Sequence, residues 1–242
     1  MLFSDIRGFT SLAEGWDPEE LISTMNAYFE EMTDVVFAHG GTLDKYMGDA
    51  VMAFWGAPLE QSDHARRACA TALEMLRRLE ALNRAWAEEG KPELECGIGI
   101  ATGEMIVGNL GSRRRLSYTV VGDSVNLASR LEALNKTYGT RILLSENVVE
   151  LAGGDFLVRE IDRIQVRGKT RATRIFELLG TAGDAAALRT RVDRFERALR
   201  FYREGKFPEA RELFSALARE EGGGVAAYYE KRCGERLGSP AA

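Results

Sequence analysis

The sequence is poor in the residues that build soft-metal sites and covalent staples. Its 242 residues include only 3 cysteines and 2 histidines. Cys69, Cys96 and Cys233 lie far apart with no CxxC spacing, so neither a disulfide framework nor a His/Cys zinc site is expected. Any metal must then be held by carboxylates, which selects a hard ion such as magnesium or manganese. Long apolar runs are missing too. No uninterrupted stretch approaches the roughly 20 residues of a membrane helix, and Met1-Leu2-Phe3-Ser4-Asp5 has neither the basic nor the apolar segment of a secretion signal. This piece is expected to make no membrane contact and to lie in, or face, the cytoplasm. Positive charge is in deficit as well. A net charge of −5 excludes a protein whose main work is coating nucleic acid, because displacing phosphate counterions needs an excess of Lys and Arg. A small anionic ligand stays allowed, since a pocket can be locally basic.

What is present is a soluble globular composition, 45% hydrophobic and 29% charged, with length for one domain of about 100–200 residues plus a smaller appendage. Leu2 to Asp5 reads as the end of a strand. That abrupt start looks clipped, so a sensor or membrane-anchoring region is expected upstream in the parent protein. Asp17-Pro18-Glu19-Glu20 carries an N-cap, a first-turn proline and first-turn acids, and Leu21, Met25, Tyr28, Phe29, Met32, Val35 and Val36 continue it at helical spacing to His39-Gly40-Gly41. Thr42–Tyr46 and Ala50–Trp55 read as a hairpin turning at Met47-Gly48-Asp49. A second long helix is expected from Asp63 to Trp86, then strands at Glu95–Thr102, Met105–Leu110 and Ser117–Val121, a helix from Gly122 to Leu134, and strands at Arg141–Ser145, Val158–Val166 and Arg174–Leu178. The fold class is α+β: a ferredoxin-like βαββαβ core with additional strands and one helix-covered face.

The pattern changes near Gly180, dividing the chain into residues 1–180 and 181–242. Between Leu188 and Cys233, Phe195, Leu199 and Tyr202 precede a turn at Gly205, and Ala210, Phe214 and Leu217 follow it. This is an amphipathic helical hairpin resembling a single tetratricopeptide repeat. One such repeat cannot bury its own apolar face, so it packs on the main domain or on a partner, and a prop against the main domain is the simpler reading.

Asp5 ends a strand and Asp49 sits in a hairpin turn, each beside a glycine bend. Two carboxylates at neighbouring strand ends are the minimum that can hold a pair of divalent ions about 3.5–4 Å apart. Singly, either aspartate is explained as well by a turn residue satisfying local backbone groups. The surrounding residues decide. Phe3-Ser4-Asp5-Ile6-Arg7-Gly8-Phe9-Thr10 and Lys45-Tyr46-Met47-Gly48-Asp49-Ala50 resemble the two metal motifs of the class III nucleotidyl cyclases. The resemblance continues in order through Gly97–Gly103, Tyr118–Arg130 and Val166-Arg167-Gly168-Lys169, and it covers Leu2 to Leu178. Several ordered motifs are far more specific than one glycine fingerprint.

This resemblance implies a catalytic domain over residues 1–180 that converts ATP to 3′,5′-cyclic AMP and pyrophosphate, a phosphorus-oxygen lyase of signal transduction. It implies two divalent ions, Mg2+ or Mn2+, held by Asp5, Asp49 and the backbone of Ile6, with amides around Gly8, Phe9 and Thr10 meeting phosphate oxygens. Asn126 and Arg130, one helical turn apart and so on one face, would orient the ribose and stabilise charge on the α-phosphate. Their other reading is a satisfied polar residue and a surface charge. Arg167 corresponds to a basic residue at the terminal phosphates, with Lys169 close by as a further candidate, and an exposed basic strand end explains them about equally well. By the same resemblance Lys45 and Thr119 read the base. A lysine can donate to adenine N1 and a threonine hydroxyl can accept from N6, whereas guanine reverses both groups, so ATP is the expected substrate. The metal pair and the base-reading and Asn/Arg groups come from different subunits in the family, which implies a homodimer with two equivalent sites. Three other readings stay open: a catalytically silent nucleotide-binding or dimerisation module, a diguanylate cyclase whose GGDEF-type turn is missing here, and a purely structural α+β domain.

Overall fold

In the computed structural model, which describes residues 1–165 and 172–238, β1 (Leu2–Ile6) leads through the short α1 (Phe9–Ala13) to α2 (Pro18–Ala38). α2 starts where the sequence places it: the Asp17 carboxylate accepts from the Glu19 and Glu20 amides, and Pro18 fills the first helical position without losing a bond. β2 (Thr42–Met47), β3 (Ala50–Phe54), α3 (His64–Glu88) and β4 (Cys96–Ile100) follow. The strands lie in the order β2-β3-β1-β4, all antiparallel, which is the ferredoxin-like arrangement expected. β5 (Ile106–Ser112) and β6 (Arg115–Val121) form a separate two-stranded ribbon, and α4 (Asp123–Tyr138) returns the chain to the sheet. β7 (Ile142–Ser145) pairs parallel with β4, α5 (Glu146–Ala152) follows it, and β8 (Phe156–Ile164) and β9 (Thr173–Thr181) complete a seven-stranded sheet.

Both faces of the sheet are covered, where one was expected. Leu2 and Ile6 of β1 face a core built with α2, α3 and α5, while Phe3 faces a second core with Leu127, Ala128 and Leu131 of α4. The tail supplies the rest of that second cover. It forms the expected hairpin, α6 (Ala185–Arg203) and α7 (Phe207–Glu221), and adds a third helix that the sequence reading missed, α8 (Gly224–Gly238). Phe195, Phe214 and Tyr229 are fully buried between the tail helices and the sheet. A buried charge cluster ties the two parts: Arg159 on β8 donates to Glu177 on β9 at 2.6 Å and to Glu221 on α7 at 3.0 Å. The Tyr229 hydroxyl also donates to the Ile161 carbonyl.

A close backbone contact explains Gly99 in the Gly97–Gly103 motif. A Cβ on Gly99 would lie 2.1 Å from the Ala128 carbonyl oxygen and 2.3 Å from the Glu132 nitrogen. Here β4 and α4 meet backbone to backbone, and only glycine leaves room. Gly99→Ala should therefore cost about 3 kcal/mol, the upper range for overpacking a close-packed interior. Gly154→Ala, where nothing lies within 4 Å of an added methyl, should stay within about 0.5 kcal/mol of wild type. Urea unfolding of both variants checks this, and equal stability of the two would refute the close-contact account.

Candidate active site

β1 and the β2–β3 turn bring Asp5 and Asp49 together. The Asp49 Oδ2 accepts from the Ile6 amide at 3.2 Å, and the two carboxyl groups lie close enough to act on each other electrostatically. Gly8 and Gly48, with φ of 66° and 65°, supply the left-handed bends beside them that a side chain would strain. Asp5 Oδ1 is buried with no hydrogen-bond partner. An orphaned buried carboxylate oxygen beside a second carboxylate is costly unless a cation meets it, so the residues present fit a divalent ion.

The sequence reading missed a third carboxylate here. Glu132 on α4 reaches over Gly97, whose absent side chain makes the space; its charge acts on Asp5, and the charge of Asp49 acts on it. Its position four residues after buried Ala128 was the available signal. Burial is the main cause that lifts the Asp5 carboxyl to about 7, followed by its side-chain interaction with Asp49 and repulsion from Asp49 and Glu132, while the Ile6 amide pulls it down. Burial likewise lifts Glu132 to about 7, with Arg7 opposing and Asp49 adding.

The base-reading candidates converge on a residue not singled out from sequence, Asp44. Opposite strand residues share a face, and the β2–β3 register shifts between Leu43, which pairs with Ala53, and Lys45, which pairs with Met52. Ala53 faces the first core and Met52 the second. Asp44 is thus the extra residue of a bulge that turns it and Lys45 onto the same face. The Asp44 side chain has no exposure, and it accepts from the Thr119 hydroxyl at 2.7 Å and from the Val120 amide at 3.2 Å, with Lys45 Nζ at 3.2 Å.

Asn126 and Arg130 lie on the exposed side of α4, and the Arg130 guanidinium donates to the Gln165 carbonyl at 3.0 Å. Arg167 and Lys169 lie outside the described residues. Ile6 is buried, while Phe9 and Thr10 open α1, whose start has no side-chain cap. Among the described residues no hydrogen bond or ion pair joins Asp5 or Asp49 to Lys45, Thr119, Asn126 or Arg130. Helix geometry explains part of this: at about 100° per residue, Glu132 points roughly 200° away from Arg130. α4 therefore lends one face to the Asp5–Asp49 pair of its own chain and turns the other outward.

The adenylate and guanylate cyclase catalytic domain family matches residues 1–179. The chain belongs to this family. Its sequence is 42% identical over 179 residues to adenylate cyclase 1 of Rhizobium meliloti (strain 1021), covering 74% of this chain and 27% of that protein. The chain thus spans about a quarter of that relative's length. A guanylyl cyclase crystal structure matches with a TM-score of 0.69 at 42% identity, covering 75% of this chain and 91% of that one. An adenylyl cyclase from P. aeruginosa matches with a TM-score of 0.68 at 37% identity, covering 74% and 91%. The expected α+β class holds, and the rival readings as a diguanylate cyclase or an unrelated structural domain fall away.

The raised Asp5 carboxyl gives a pH-dependent signature. Its folded value of about 7 exceeds the ordinary value of about 4. In the metal-free protein its contribution to stability is complete below about pH 4, falls as pH rises to about 7, and stays low above that. Asp5→Asn should therefore raise the melting temperature in chelator at pH 8 but leave it nearly unchanged close to pH 4, and manganese should stabilise wild type at pH 8 more than the variant. Thermal unfolding across this range decides it, and a pH-independent difference would refute the assignment.

Proposed function

We propose that this chain is an adenylyl cyclase domain that closes the ribose 3′-oxygen of ATP onto the α-phosphorus, releasing pyrophosphate, at sites shared between two copies. The observation that carries the reading is the convergence of Asp5 and Asp49 with a buried, unpartnered Asp5 oxygen in a chain of this family. Asp5, Asp49 and the Ile6 carbonyl would hold the divalent ions. Bound there, magnesium or manganese supplies Lewis acidity, easing deprotonation of the 3′-hydroxyl and neutralising phosphate charge.

The chain's own residues bind and orient. Asn126 holds the ribose so that the 3′-oxygen faces the α-phosphate, and Arg130 offers a planar, permanently charged donor fork to the oxygens that gain charge during displacement. Backbone amides around Gly8, Phe9 and Thr10 meet the phosphates, with Arg167 and Lys169 at the terminal ones. No protein nucleophile is required, so the catalytic contribution is position and electrostatics.

Overall similarity does not choose the base, since a guanylyl and an adenylyl cyclase match almost equally well. Lys45 and Thr119 favour adenine, the first donating to N1 and the second accepting from N6. Sharing between copies is supported by the outward face of Asn126 and Arg130 and by the β5–β6 ribbon. That ribbon exposes Ile106, Leu110, Leu116, Tyr118 and Val121, and two strands with bare apolar groups on both faces are marginal without a partner.

Incubation with ATP and manganese should yield cyclic AMP. Asp49→Ala should lower the rate about 100-fold or more, equivalent to about 3 kcal/mol of lost transition-state stabilisation, with the circular dichroism spectrum unchanged. Lys45→Glu combined with Thr119→Cys should shift preference toward GTP. Unchanged turnover in Asp49→Ala removes the metal role, and an inactive wild-type dimer favours the silent-module reading. Full specific activity at dilutions where sedimentation finds only monomer would exclude the shared site.

A further inference from the structure

We propose that Asp44 fixes the base preference of this chain by holding the Thr119 hydroxyl as an obligate hydrogen-bond acceptor. The inference rests on the reading above, in which Lys45 and Thr119 face the base, and it adds a positioning residue behind them.

A threonine hydroxyl is ambivalent. It carries one proton and two lone pairs and rotates to suit its partner, so by itself it can accept from the 6-amino group of adenine or donate to the 6-oxo group of guanine. A threonine alone is therefore a poor discriminator. An ionised carboxylate, by contrast, only accepts. Thr119 lies with its hydroxyl 2.7 Å and 3.0 Å from the two Asp44 oxygens, so its single proton is committed inward. The lone pairs are what remain to face a ligand.

Asp44 is held in that role from several sides. Its side chain has no solvent exposure, and Thr119 itself is only 7% exposed. A buried carboxylate needs donors around it, and here the Val120 amide at 3.2 Å and Lys45 Nζ at 3.2 Å join the hydroxyl. The bulge between Leu43 and Lys45 gives Asp44 its direction. In an unbroken strand Asp44 and Lys45 would face opposite sides, and only one of them could reach this face. The extra residue puts both there, so the carboxylate orders both candidate base readers at once: it takes the hydroxyl proton of Thr119 and anchors the Lys45 ammonium, whose remaining protons are left to donate.

Adenine, with an acceptor at N1 and a donor at position 6, matches this frozen pattern. A 6-oxopurine sets lone pair against lone pair at Thr119 and N–H against ammonium at Lys45. Mismatches of this kind, where a polar group in a closed site is left without its complement, are the strong form of substrate discrimination.

The test compares kcat/KM for ATP and for inosine triphosphate, which carries the 6-oxo group and N1–H without the 2-amino group of guanine. Wild type should prefer ATP. Asp44→Ala frees the Thr119 proton to turn outward and should reduce that preference about tenfold, the scale of one hydrogen bond mismatched or restored. Thr119→Val should reduce it as well, and adding Asp44→Ala in the Thr119→Val background should change the ratio less than Asp44→Ala does in wild type, because Asp44 then has only the Lys45 ammonium left to hold. If Asp44→Ala fails to dimerise by sedimentation, the nearly isosteric Asp44→Asn, whose amide can donate to the Thr119 oxygen, should reduce the ratio in the same direction. A merely structural role would lower turnover of both nucleotides in proportion. A preserved ATP to inosine triphosphate ratio in the Asp44 variants, independent effects of the two substitutions, or a wild type without preference overturns the inference. Loss of the adenylyl cyclase reading itself looks different: the wild type then makes no cyclic AMP, and Lys45→Glu leaves base choice untouched.

Discussion

The carbonyl of Ala128 and the amide of Glu132 occupy the space that a methyl group on Gly99 would need, so α4 rests on β4 backbone against backbone. That contact fixes the helix in height and in rotation. Its rotation carries Glu132 over Gly97 toward Asp5 and Asp49, and it turns Asn126 and Arg130 away. Its far end receives the tail: Tyr138 packs edge-on against Tyr228 at 4.8 Å, and a Cβ on Gly139 would meet the Gly224 backbone at 2.9 Å. A shift of α4 would disturb the carboxylate cluster, the outward Asn/Arg face and the tail together.

The proposed metal pair and the proposed base-reading residues then share one face of the sheet but not one cluster. Asp5 and Phe3 alternate onto the same side as Met52, and the bulge at Asp44 brings Lys45 there too. Two carboxylates and a third behind them concentrate negative charge at one end, while Arg130 and the protruding ribbon lie on outward surfaces. In the proposed shared site such a surface is half of a complementary whole. An isologous pair, in which each copy offers its carboxylates to the other's donors, satisfies both halves with one contact.

Much of this was legible in the sequence because the signals were local. The Asp17-Pro18 start fixed α2, the glycine-marked turn at Gly48 fixed the hairpin, and ordered motifs pointed to Asp5, Asp49, Lys45, Thr119, Asn126 and Arg130. What stayed hidden depends on pairing between distant segments. A bulge exists only relative to the register of a neighbouring strand, so Asp44 looked like any polar strand residue. Glu132 becomes part of the cluster only because Gly97, far away in sequence, leaves space beneath it. α5 spans 7 residues and has no side-chain cap, and α8 begins in the glycine run Gly222–Gly224, which reads as an ending. The tail props the main domain as expected, but that it joins α4 in covering the second face of the sheet is something no periodicity announces.

The shared site is the central claim, and complementation between two inactive variants tests it most directly. Asp49→Ala lacks a carboxylate and Arg130→Ala lacks the donor fork, so each homodimer has two defective sites. On mixing and subunit exchange, half of the dimers carry one variant of each kind, and in each of these one site is intact. Activity should recover to roughly a quarter of wild type, while mixing Asp49→Ala with Asp5→Ala, whose defects fall in the same half-site, should recover none. No recovery in the first mixture, with exchange demonstrated, would contradict the account.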